Sequence, residues 1–141
     1  MNGPIVVGTD GSTTAAVAVA AAIDLAKTFD QSLHVVSAYR PAEPPTGLPG
    51  EFDGCIRSTS AVESVLADAV ARATAVGVSA TGHSATGSAS DAVLSVAEKV
   101  GAHVIVVGNQ GIGSKARRVL GNVPSKIVHQ ATCSTFIVQT S

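Results

Sequence analysis

Residues 108–122, GNQGIGSKARRVLGN, follow the apolar run HVIVV and gather four glycines with Lys115, Arg117 and Arg118. Glycine lets main-chain N–H groups approach an anion closely and turn through conformations closed to other residues, while nearby bases complement negative charge. A second stretch of this kind, Gly8-Thr9-Asp10-Gly11-Ser12-Thr13-Thr14, follows the apolar run PIVV. A hydroxyl-rich turn into a helix N-terminus suits phosphate, and Asp10 places one carboxylate beside it. The chemistry these two stretches imply is the holding of a phosphorylated ligand.

Several phosphate motifs can be tested by spacing. Gly111-Ile112-Gly113-Ser114-Lys115-Ala116 fits the dinucleotide fingerprint G-x-G-x-x-A. That fingerprint needs an acid about 20 residues on, and no Asp or Glu occurs after Glu98. A Walker loop needs Gly-Lys, which is absent. A phosphorylated-aspartate site needs several carboxylates at strand ends, and Asp10 stands alone there. A flavin site is disfavoured by a chain with one Tyr, three Phe and no Trp. What remains is the wider spacing Gly108-x2-Gly111-x9-Gly121-Asn122.

Catalysis has less support than binding. No Ser-His-Asp or Cys-His arrangement can be argued from spacing, and Asp10 has no second carboxylate as partner. The histidines at 34, 83, 103 and 129 form no HxE or HExxH pattern, and Cys55 and Cys133 fit no metal or redox spacing. Whether the chain is an enzyme stays open; slow ATP hydrolysis or autophosphorylation is the most that is expected. Mg²⁺ often uses one carboxylate plus substrate oxygens, so Asp10 is a candidate metal contact through water.

The elements that position these residues follow from periodicity. With 141 residues, 45% of them hydrophobic and 13% charged, the chain suits one domain spanning 1–141 with a substantial core. Strands are expected at 4–9, 32–39, 78–83, 103–108 and 134–140. Helices are expected after Ser12 as N-cap, around Val62–Ala73 up to Gly77, from Ser88 to Gly101, and from about Pro124 to Gln130. The 78–83 strand is too polar on one face to be central. The Pro- and Gly-rich stretch about 40–57 reads as a flexible or functional loop, placed to act as a lid.

Strand and helix in strict alternation predict an open parallel sheet covered on both faces. Ligands of such sheets bind beyond the carboxyl ends of the strands, where strand order reverses. The strands before Gly8 and Gly108 should therefore be neighbours with the site between them. Residues 1–98 hold ten acids and four bases, a net of −6, whereas 99–141 hold five bases and no acid, +5. That division favours an anionic ligand near the second half or, equally, a solvated basic face. No run is long enough to span a bilayer, and the N-terminus lacks signal-peptide character. A cytoplasmic protein without membrane or nucleic-acid partners is the expectation.

The glycine spacing, the opening IVVGTDGS, SAYRP after the second strand, and the closing VLGNVPSKIVHQATCSTFIVQT together resemble the universal stress protein family in its ATP-binding branch. The resemblance covers the whole chain. It implies an adenine nucleotide α-hydrolase-like, Rossmann-like five-stranded sheet in order 3-2-1-4-5. It also implies an ATP site, with AMP or cAMP as alternative ligands. Gly8, Thr9 and Asp10 would lie at the ribose, and the backbone of Ala38 at the adenine edge. Gly108 and Gly111 would line the ribose and α-phosphate, with Gly121, Asn122, Val123 and Ser125 at the phosphates and Lys115 toward the outer ones. Relatives dimerise through the last strand, so a homodimer through 134–140 is implied, with unknown protein partners. The implied role is a nucleotide-dependent stress-response switch. Its rivals are a cAMP sensor or sink, and a dimeric partner-binding module in which nucleotide is incidental. Asn122 stands where many relatives carry Ser or Thr, and it has no hydroxyl to accept a phosphoryl group or to face a metal.

Overall fold

A computed structural model describes residues 1–39, 59–109 and 120–140. Its elements run β1 (Ile5–Gly8), α1 (Thr13–Phe29), β2 (Leu33–Tyr39), α2 (Thr59–Ala75), β3 (Ala80–Thr86), α3 (Ala89–Val100), β4 (Val104–Gly108), α4 (Asn122–Gln130) and β5 (Ser134–Val138). All four strand pairings are parallel, in the order β3-β2-β1-β4-β5. The expected strand order is therefore present, including the β1–β4 adjacency. The stretch about 40–57, expected to be a loop or lid, lies outside the described residues, as do Gly111 and Lys115.

β1 and β4, at the middle of the sheet, are apolar at every position because both faces are covered. Successive side chains alternate between faces. Ile5, Val7, Leu33, Val35, Val104 and Val106 pack with α1 and α2, whereas Val6, Val36, Ala38, Ile105 and Val107 pack with α3 and α4. Alanine dominates the buried face of α1 (Ala18, Ala22, Ala26), which lets that helix lie close on the sheet. No helix among the described residues is long and apolar enough to cross a membrane.

Helix ends follow local chemistry. Ser12 caps α1, its Oγ accepting the Ala15 N–H at 3.1 Å, and Ser88 caps α3 in the same way from Asp91. Gly101 ends α3 at φ 66°, in the left-handed region that glycine enters without strain. Asp30 performs the same task for α1 at φ 54°, one of the few non-glycine types that tolerate this conformation.

β3 forms the outer edge, as its polarity predicts, but it runs two to three residues later than the sequence pattern placed it. The later register brings His83 opposite Val36 and lets its Nε2 meet His34 Nδ1 at 2.8 Å, their rings tilted by 38°. One nitrogen donates and the other accepts, so the bond survives only while at least one ring is neutral. Burial lowers both pKa values from the ordinary histidine value; His83 lowers that of His34 further, and Lys99 that of His83. A lowered folded-state pKa means that the unfolded chain binds more protons at mildly acid pH. Stability is thus full above about pH 6.5 and declines as pH falls through the folded values. The thermal midpoint should drop between pH 7.5 and pH 5.5, and His83→Phe should flatten that part of the profile. A flat wild-type profile would rule the pair out as a pH-sensitive contact.

Candidate functional site

β1 ends at Gly8, and the chain turns through Thr9, Asp10 and Gly11 into α1. The turn is tied at each step. Thr9 N–H donates to Val36 C=O at 2.9 Å, and the buried Ser37 hydroxyl donates to Thr9 C=O at 2.9 Å. Thr9 Oγ1 accepts from Gly11 N–H, and Asp10 Oδ1 accepts from Ser12 N–H at 2.9 Å. Gly11 sits at φ 83°, and a Cβ there would stand 2.7 Å from Val65 Cγ2. Both the turn and the packing of α2 therefore require glycine. At Gly8 an added Cβ would meet Val93 Cγ2 at 2.8 Å, so packing against α3 accounts for that glycine.

β2 runs on beyond the end of β1. Because Val36 C=O faces β1, strand alternation turns the main-chain groups of Ala38 to the same side. They address the space above Thr9, where the β1 chain has turned away. The position suits an edge-on ligand hydrogen-bonded as a further strand would be.

Across the β1–β4 seam, β4 ends at Gly108 and is followed by Asn109. The Gly121 N–H donates to Asn109 C=O at 3.0 Å, which fixes the start of α4 beside the end of β4. Gly121 is the N-cap and supplies no side chain to the helix end. Of the N-terminal amides, Gly121's goes to Asn109, Pro124 has none, and Ser125's goes to Gly121 C=O. That leaves those of Asn122 and Val123 directed past the helix start, with the positive end of the helix dipole. Ser125 can contribute its hydroxyl, not its N–H. Pro124 and Ile127 anchor α4 in the core.

The basic character of the second half is partly committed elsewhere. Lys126 Nζ lies 2.8 Å from Asp91 Oδ1, and the hydrogen bonds from Lys126 and Ser88 hold the Asp91 carboxyl below its ordinary pKa. No group of three or more His, Cys, Asp or Glu side chains among the described residues is arranged to hold a metal ion. Asp10 is thus the single carboxylate of the turn, and its Oδ1 is already engaged by Ser12. A cavity of about 220 Å³ opens beside Thr9, Gly11 and Ser12 and runs between α1 and α2 past Val19, Ala69 and Arg72. It lies on the α1–α2 face, away from the α4 N-terminus.

The expectation that Gly8 and Gly108 close adjacent strands agrees with this geometry, while residues 110–119 of the second glycine stretch lie outside the described residues. Thr9, Asp10, Ala38, Gly108, Gly121, Asn122 and Val123 share one edge of the sheet. Missed from the sequence were Asn109, which joins three segments, and Ser37, whose hydroxyl orients Thr9. Neither carries a motif; their roles depend on which strands become neighbours.

The sequence profile of the Universal stress protein family matches residues 1–139. Universal stress protein Rv1636 of Mycobacterium tuberculosis is 31% identical over 141 residues, covering 97% of this chain and 96% of that protein. A solved universal stress protein in complex with cAMP gives a TM-score of 0.75 at 29% identity, covering 99% of this chain and 98% of that one. A universal stress protein from Archaeoglobus fulgidus, solved in complex with dAMP, shares the fold with a TM-score of 0.70 at 20% identity, over 98% of each chain.

Proposed function

The chain belongs to the universal stress protein family, and from that premise we propose that it binds an adenine nucleotide at the β1–β4 edge and changes state with occupancy. The observation that carries this reading is the convergence of Asp10, the Ala38 main chain and the Asn122 and Val123 amides on one edge of the sheet. Adenine pairs with Ala38, the ribose with Asp10, and a phosphate with the α4 N-terminus. Gly8, Thr9, Gly108, Gly111 and Ser125 complete the lining.

Within this reading, the solved relative at 29% identity, in complex with cAMP, favours a single-phosphate ligand. Two amides at one helix start suffice for such a group. ATP is the second reading, favoured by Lys115, Arg117 and Arg118 in the 108–122 stretch, which complement outer phosphates. In that case Mg²⁺ arrives with the nucleotide and meets Asp10 through water, since one carboxylate does not make a protein cage. Slow hydrolysis is compatible with this site but not required by it.

The protein acts in the cytoplasm as a homodimer through β5, whose Phe136 and Ile137 are exposed on an edge strand. Calorimetric titration of nucleotide-stripped protein with cAMP and with ATP plus Mg²⁺ tests the reading. Binding of either supports it. Charge-neutral Lys115→Gln and Arg118→Gln should weaken ATP and spare cAMP. Silence with both ligands would overturn nucleotide binding and leave a partner-binding module.

A further inference from the structure

Asn109 stands where three segments meet: the end of β4, the end of β5 and the start of α4. Its N–H donates to Val138 C=O at 2.8 Å, tying it to the end of β5, and its C=O accepts from Gly121 N–H at 3.0 Å, tying it to the start of α4. Its side-chain Oδ1 accepts twice from one residue, from Thr140 N–H at 2.9 Å and from Thr140 Oγ1 at 3.0 Å. One amide side chain thus grips the chain just beyond the edge strand, while the same residue's main chain holds the helix start that offers Asn122 and Val123.

A leucine or alanine at this position would keep the two main-chain bonds and lose the grip on Thr140. An aspartate would keep an acceptor for both Thr140 donors. The side chain has no helix to cap and adds nothing to β4 itself. Its partner, Thr140, lies just past the end of the edge strand β5, 31 residues along the chain.

We infer that Asn109 is a positioning residue that couples nucleotide occupancy at the start of α4 to the chain following β5. This rests on the nucleotide reading above and supplies its output. A phosphate bound by Asn122 and Val123 steadies Gly121, Gly121 steadies the Asn109 carbonyl, and the Asn109 side chain then holds Thr140 more firmly. By linkage the coupling is reciprocal, so holding Thr140 favours the bound state. The edge presenting Phe136 and Ile137 thereby senses whether the site is filled.

The test is amide hydrogen exchange at Thr140, measured by NMR with and without saturating cAMP, and again with ATP plus Mg²⁺. In the wild-type protein nucleotide should slow exchange at Thr140 roughly tenfold. In Asn109→Ala the slowing should vanish and affinity should fall roughly three- to tenfold, the worth of a modest hydrogen-bond pair. Asn109→Asp, which keeps the acceptor, should retain protection of Thr140, while Asn109→Leu, which fills similar space without an acceptor, should lose it; a merely space-filling role predicts retention in both. Thr140→Val, which leaves the protein core untouched, should lose part of the coupling and guards against an Asn109→Ala variant that folds poorly. Wild-type protein that binds nucleotide without any change at Thr140 would overturn the coupling and leave the nucleotide reading standing. Wild-type protein that binds neither ligand would overturn both.

Discussion

Replacing Ile127 with alanine is expected to cost about 2–5 kcal/mol of stability, the range for truncating a large buried aliphatic side chain. Ile127 is fully buried and packs in the cluster that contains Val6, Ile105 and Val107. α4 has nine residues, below the roughly 12–15 at which a helix persists without tertiary support. Pro124 and Ile127 are its buried residues, so loosening the second frees the helix start as well. Nucleotide affinity should therefore fall together with the urea midpoint. Ile5→Ala makes the informative comparison, because Ile5 is equally buried but faces α1 and α2. Its stability loss should be similar, while affinity measured well below the midpoint should hold. Equal loss of affinity in both variants would show that the anchoring of α4 is not what matters.

Asp10→Asn should weaken binding of cAMP, and of ATP, by roughly 10- to 100-fold, consistent with the loss of charge-assisted hydrogen bonds. The asparagine Oδ1 can still accept the Ser12 N–H, so the turn into α1 survives and the thermal midpoint should hardly move. Asp10→Ala removes that acceptor too, and should lose both affinity and some stability. Comparing the two by calorimetry and thermal unfolding separates the ligand role of Asp10 from its role in the turn. Unchanged affinity in Asp10→Asn would reduce the residue to a turn former.

Most of the architecture could be read from residue patterns. The uninterrupted apolar strands IVVG and VIVVG announce a sheet covered on both faces. Ser12, Gly77 and Gly101 mark helix boundaries by chemistry that acts within a few residues. The two glycine stretches could be placed at one edge because parallel topology leaves few alternatives. β3 was harder: ATGHSAT alternates weakly, and an edge strand tolerates polar residues at either face, so its span was placed two to three residues too early. The His34–His83 contact was not foreseen, since it depends on how β3 pairs with β2, which no local pattern reports. Asp30 gave no signal because aspartate rarely serves where glycine usually stands. Asn109 and Ser37 act across strands, and no local pattern reports a hydrogen bond spanning 28 or 31 residues.

The most direct test of the central claim is to record backbone amide chemical shifts while cAMP is titrated into the nucleotide-stripped protein. Nucleotide bound at this site should place the largest shifts on Thr9, Asp10, Ala38, Gly108, Gly121, Asn122 and Val123, at the carboxyl ends of β1, β2 and β4 and the start of α4. Shifts confined to Val19, Ser64, Val65 and Ala69 would contradict that placement and move the site into the cavity between α1 and α2.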